Sequence, residues 1–201
     1  MITSQQAQDI VLHHCHSSPY DELFTVYFFE LSPKQDFWII RCNSERYVIY
    51  NQLEHCYVGV NAYLVDTSTG KIDIVGSGES VEDFLQDKYD LQRANGYFYV
   101  LSPSFTKENK QALINFKQWL ACGYSEIILL FSSDKNKWFT GSYRTLQHIQ
   151  IQLKAVEIDT KITLMEKTDD AVVVESNIWF EKDIKESLNK YINKKQVLQS
   201  H

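Results

Sequence analysis

The sequence predicts an α+β fold. An N-terminal helix, an antiparallel sheet and a second helix come first, and a second α+β region, which permits a βαβ crossover, follows. Three observations lead there. Residues 3–14 carry apolar side chains at helical spacing behind a capping signal. Several runs rich in β-branched and aromatic residues lie between positions 23 and 75. After Gly96, strand-like and helix-like stretches alternate.

The first helix opens on Thr3 and Gln6, a capping box in which the hydroxyl accepts from the backbone and the Gln side chain reaches back. Ala7, Ile10, Val11 and His14 then make one face, and "SSPYD" breaks the helix. "LFTVYFFEL" (23–31) is a strand, and "SPKQD" is a turn. "FWIIRC" (37–42) and "RYVIYN" (46–51) are predicted as two strands joined through Asn43, Ser44 and Glu45. "CYVGVNAYLVD" (56–66) alternates, and "KIDIV" (71–75) is its partner. Between them, Asp66 opens a turn and Gly70 closes it with positive φ. Ser80 caps a helix over 80–91, with Asp83 three residues on and Val81, Phe84 and Leu85 inward.

The second half begins near Gly96, which places two domains at 1–93 and 94–201. "YFYVLS" (97–102) is a strand. The next helix has Thr106 as N-cap, a stripe of Leu113, Phe116, Trp119 and Leu120, and Gly123 as its end. "EIILLFS" (126–132) is predicted as a buried strand, "SDKNK" as a turn, and 138–165 as helix early and strand late. "AVVVES" is a further strand. The C-terminal helix buries Ile184, Leu188, Tyr191 and Ile192.

Composition narrows the function classes. The 201 residues are 44% hydrophobic and 23% charged, which is ordinary for a globular chain. There is no apolar run near the ~20 residues of a membrane span. The N-terminus shows no basic segment leading into an apolar one, so a cytoplasmic location and no membrane association are expected. Four cysteines without a C-x-x-C pair read as reduced thiols. The net charge of −6 is uneven: residues 1–93 balance to −8 and residues 94–201 to +2. An acidic first half repels phosphates, which argues against a nucleic-acid ligand and for a basic protein partner.

The motifs that suggest chemistry are incomplete. A phosphate loop needs G-x-x-x-x-G-K-[ST], but with Gly70 and Lys71 as anchor the first glycine falls on Val65 and the hydroxyl on Ile72. A dinucleotide fingerprint needs glycine at Val81. Glu79, Glu82 and Asp83 complement the positive end of the following helix and would compete with an anion there. In "HHCH" (13–16), only His13 and His16 have helical ligand spacing, and no second cluster completes a zinc site. No metal and no cofactor are expected. Asp159 and Lys161 form a D-x-K of the kind that magnesium-dependent nucleases carry on a strand, with Asp134 the nearest upstream acid. No G-x-S-x-G elbow is present. Tyr47, Tyr50, Tyr57 and Tyr63 suit either sheet packing or an interface.

The segment "YLVDTSTGKIDIVGSGESVEDFLQDKY" (63–89) resembles the immunity protein 35 family. A strand ends in a V-D-x-x-T-G turn, and a short strand, G-S-G and an acidic amphipathic helix follow. The resemblance covers residues 1–93 and not the second half. It implies a non-enzymatic protein, without catalytic residues, that binds and neutralises one cognate bacterial toxin of a type VI or contact-dependent system. Under that implication Asp66, Glu79, Glu82, Asp83, Asp87 and Asp90 are the partner-binding candidates, and the toxin presents a basic surface. The oligomeric state is left open. Two other classes compete: a metal-dependent nuclease in the second half using Asp159 and Lys161, and a non-enzymatic cytoplasmic adaptor.

Overall fold

The structure is a computed structural model that describes residues 1–16, 22–131, 136–168, 171–174 and 180–199. The chain is α+β and divides into two compact units, Met1–Gln86 and Asp87–His201.

The first unit starts with α1 (Ser4–His16). Its capping box forms as the sequence predicts: the Thr3 N–H donates to Gln6 Oε1 at 2.8 Å, and the Gln6 N–H to Thr3 Oγ1 at 3.3 Å. The buried face is Ala7, Val11 and Cys15, with Ile10 half-buried. His14, expected on that face, is exposed and only edges against the Tyr63 ring. The residue that follows it, Cys15, takes the buried place.

Four strands, β1 (Phe24–Leu31), β2 (Phe37–Ser44), β3 (Val60–Asp66) and β4 (Ile72–Gly76), form an antiparallel sheet in the order β1-β2-β3-β4. Ile40 and Val65 lie on the face that carries α1 and form a core with Ala7, Val11 and Cys15. Trp38, Tyr63 and Ile72 flank that core. On the opposite face Phe37, Ile39, Ala62, Leu64 and Val75 are buried, as are Val81 and Leu85 in α3 (Val81–Ala94). The Asp83 N–H donates to Ser80 Oγ at 3.0 Å, so Ser80 is the predicted cap.

The predicted strand at 46–51 is not formed. β2 runs on to Ser44, and Glu45–Val48 is a short helix, α2. Ser44 is fully buried, and its Oγ accepts from the Tyr47 N–H at 3.1 Å. A side-chain cap at that point starts a helical turn and ends the ladder.

The second unit builds its sheet in the order β7-β5-β6-β8, from β5 (Phe98–Pro103), β6 (Phe139–Thr140), β7 (Thr160–Met165) and β8 (Val172–Val173). β5 is antiparallel to β7 and β6, and β6 is parallel to β8. Helices α4 (Lys110–Leu120), α5 (Tyr124–Leu129), α6 (Tyr143–Ala155) and α7 (Glu181–Gln199) complete the unit. Its core gathers Leu113, Phe116, Leu146, Ile149, Ile184 and Leu188 around Trp138 and Leu101. The expected strand at 126–132 is helical through Leu129 and continues as a turn at Leu130 and Phe131. Short apolar runs do not separate strand from helix by periodicity. Glu126 decides here, because its carboxylate accepts the Gly123 N–H at 2.5 Å and caps the turn. The parallel pair is instead β6 with β8, connected through α6 and β7. α4 is capped by Asn109 Oδ1, not Thr106, and it ends on Ala121 in the left-handed region (φ 54) rather than on Gly123. Residues 133–135 of the turn expected at "SDKNK" lie outside the described residues, as do Glu175 and Ser176 of "AVVVES", whose Val172–Val173 form the expected strand as β8. Among the described residues, no helix is long and apolar enough to cross a membrane.

Candidate functional site

The six acidic candidates differ in exposure and in what holds them. Asp66 is held by its own turn: Oδ1 accepts from the Ser68 N–H at 2.9 Å, the Ser68 hydroxyl at 2.6 Å and the Thr69 N–H at 2.8 Å. Gly70 closes the turn at φ 73, with its N–H on the Asp66 carbonyl. These bonds, the Ser68 hydroxyl first, lower the Asp66 carboxyl from an ordinary value near 3.8 to about 2.

A carboxyl lowered by folding stabilises the fold above its ordinary range and loses that effect as pH falls through its folded value. Asp66→Ala is therefore expected to cost about 1–2 kcal/mol at neutral pH, discounted for solvent exposure. The gap from the parent should close as pH falls from 3.8 to about 2. Urea midpoints across that range measure it.

Asp87 is engaged as well. Arg144 donates through Nε to its Oδ1 at 3.2 Å and through Nη2 to its Oδ2 at 2.6 Å. Asp90 is only 2% exposed, its carboxylate oxygens accept no hydrogen bond, and the Arg93 guanidinium lies 3.4 Å away. Its carbonyl accepts the Tyr99 hydroxyl at 2.7 Å. Glu79 is half-buried, and its carbonyl holds Asn61 Nδ2 at 2.8 Å. Of the six, Glu82 and Asp83 present exposed side chains.

The tyrosines divide in the same way. Tyr57 donates to Glu22 Oε2 at 2.9 Å and its ring tilts against Phe24. Glu22 also faces His55 at 3.1 Å and Arg46 at 3.7 Å, a cluster that ties the segment after β2 to the start of β1. Tyr47 and Tyr63 are half-buried, and Tyr50 is 66% exposed.

An uncovered apolar strand in this unit is a feature that residue types alone do not reveal. Among the described residues, β1 is an edge strand that pairs on one side, with β2. A bulge between Val26 and Phe28 shifts its register. Tyr27 (53%), Phe28 (36%), Phe29 (50%) and Leu31 (36%) are exposed. The Arg41 guanidinium lies over the Phe28 ring at 5.2 Å. Glu30 is the strand's one charged residue. Edge strands are ordinarily guarded by charges, proline or a covering element. The available signal was the aromatic run "VYFFEL" itself, which is longer than one buried face requires.

Cys15 and Cys42 place their sulfurs 3.5 Å apart, with the Tyr63 oxygen 3.6 Å from Cys15. The hydrogen bond with Cys42 lowers the Cys15 thiol to about 7 against the opposing effect of burial, and the Cys42 thiol rises. At 5% exposure Cys15 is withheld from solutes and serves packing beneath α1.

The alternative nuclease pair is separated. Asp159 precedes β7 and ion-pairs with Lys154 at 2.5 Å, while Lys161 on β7 lines a different cavity. Asp134 lies outside the described residues. Among the described residues, no group of three or more His, Cys, Asp or Glu side chains is placed to hold a metal ion.

Comparisons of the chain with protein-family models, characterised proteins and solved structures gave no match.

Proposed function

We propose that this chain is an immunity protein that binds and neutralises a cognate bacterial toxin by direct contact. The observation that carries the reading is the bare aromatic edge β1. Among the described residues no strand pairs with its outer edge, and strand addition is a recurrent mode of recognition. Tyr27, Phe28 and Phe29 then act as anchors, the residue types that dominate binding energy at such contacts. The balance of −8 over residues 1–93 steers a basic partner toward this half, with Glu82 and Asp83 exposed to it. The resemblance of residues 63–89 to the immunity protein 35 family supports the same reading. Neutralisation works by occupying the toxin, without catalysis, cofactor or metal, in the cytoplasm where the toxin acts.

The test is co-expression with the toxic product of the neighbouring gene. Growth is restored by this chain, and a catalytically dead form of that toxin co-purifies with it. Equal killing with and without the chain, and no co-purification, would sink the proposal. Rescue separates neutralisation from an adaptor role.

A further inference from the structure

We infer that the second unit holds a binding site for a nucleoside monophosphate or a closely similar organic phosphate, in the cavity where Lys137, Lys161 and Lys167 converge. This inference does not depend on toxin binding. The cavity has a volume of about 660 Å³, within the range of small-molecule sites. It lies beside β5, β7 and the chain leaving β7.

The charge balance of the lining selects an anion. Among the described residues, three lysines and one acid, Glu166, line it, in a chain whose net charge is −6. None of the three lysines forms an ion pair among the described residues. Lys137 is the decisive group. It is 9% exposed, and its ammonium donates to the Lys167 carbonyl at 2.7 Å. An ammonium has three donors, and a buried one calls for a counter-charge. A phosphate in the cavity supplies both the charge and the acceptors.

Two further polar atoms are buried there without a hydrogen-bond partner: Ser102 Oγ, on a residue 5% exposed, and Asn136 Oδ1. Ser102 pairs directly with Lys161 across the β5–β7 ladder, so their side chains share one face of the sheet. As placed, neither atom is open to the cavity; turned toward it, the Ser102 hydroxyl would donate to a phosphate oxygen held by Lys161, and Asn136 Oδ1 would accept from a donor such as an exocyclic amine. Tyr97, Phe105 and Met165 supply the apolar wall against which a ring can lie. An anionic head, an apolar ring and a ring-borne donor together describe a nucleotide better than a free inorganic ion.

The experiment titrates the full chain with AMP, inorganic phosphate and adenosine by calorimetry and by amide NMR. The expected result is saturable AMP binding at least about tenfold tighter than either fragment. Lys161 is exposed, so Lys161→Ala leaves the fold intact, and it should weaken AMP binding about tenfold. Lys137→Met should abolish AMP binding, while Lys161→Arg retains it. The inference is overturned by no saturable response to AMP at about 10 mM, a weak affinity by any standard. It is equally overturned by phosphate binding as tightly as AMP, or by Lys161→Ala leaving the AMP affinity unchanged.

Discussion

Trp138→Ala will destabilise the second unit by about 3–5 kcal/mol, the range for deleting a large aromatic from a close-packed core. Trp138 is 1% exposed and is among the largest fully buried side chains in the protein. It stacks on Phe116 with ring centroids 4.5 Å apart and planes 15° apart. Phe131 meets it edge-on at 5.9 Å, and Phe105 at 6.2 Å. Removing the indole therefore leaves a cavity bounded by rings that cannot collapse into it without leaving their own rotamers. Its Nε1 has no hydrogen-bond partner, so Trp138→Phe discards an unsatisfied buried donor along with some volume. That variant should lose less than half as much as Trp138→Ala. Chemical denaturation followed by far-UV circular dichroism measures both. Equal losses in the two variants would contradict the packing account.

Phe29→Asp will weaken toxin binding about a hundredfold while leaving the fold intact, as expected for the loss of one aromatic anchor. Phe29 is already 50% exposed on the edge strand, so an aspartate there meets water in the unbound chain. In the complex the same carboxylate would replace an apolar anchor and carry the cost of being desolvated. The opposite edge supplies the control. Ile74 on β4 is 46% exposed in the same sheet. Ile74→Asp should change the affinity by no more than about threefold, within the usual effect of a surface substitution away from a contact. If Ile74→Asp weakens binding and Phe29→Asp does not, the toxin docks on the other edge.

What the sequence made legible was short-range chemistry. The Thr3–Gln6 capping box, the Asp66–Gly70 turn and the Ser80 cap each depend on residues a few positions apart, and all form where predicted. The strands of the first sheet were readable from their β-branched and aromatic runs. The failures share a different cause. Residues 46–51 and 126–131 have strand-like composition, but single side-chain caps, Ser44 and Glu126, start the helices Glu45–Val48 and Tyr124–Leu129 there. His14 and Cys15 are adjacent, and small differences in helix rotation decide which of them is buried.

The site was harder to read for a topological reason. Asp66, Asp87 and Asp90 look alike in sequence, yet one is bound by its own turn, one by Arg144 across 57 residues, and one is enclosed. Which strand becomes an edge is decided by sheet order, so the exposure of Tyr27 and Phe29 could not be seen from their types. Lys137, Lys161 and Lys167 likewise meet only because the chain leaving β7 returns past β5.

The most direct measurement of the central claim is calorimetric titration of the purified chain with a catalytically dead form of the proposed cognate toxin. A saturable 1:1 complex is expected, with an affinity that falls as salt is raised, since an acidic partner steers a basic one. The affinity should also be lost in Phe29→Asp and kept in Ile74→Asp. No heat of binding at low salt, in a toxin preparation shown to be folded, would contradict it.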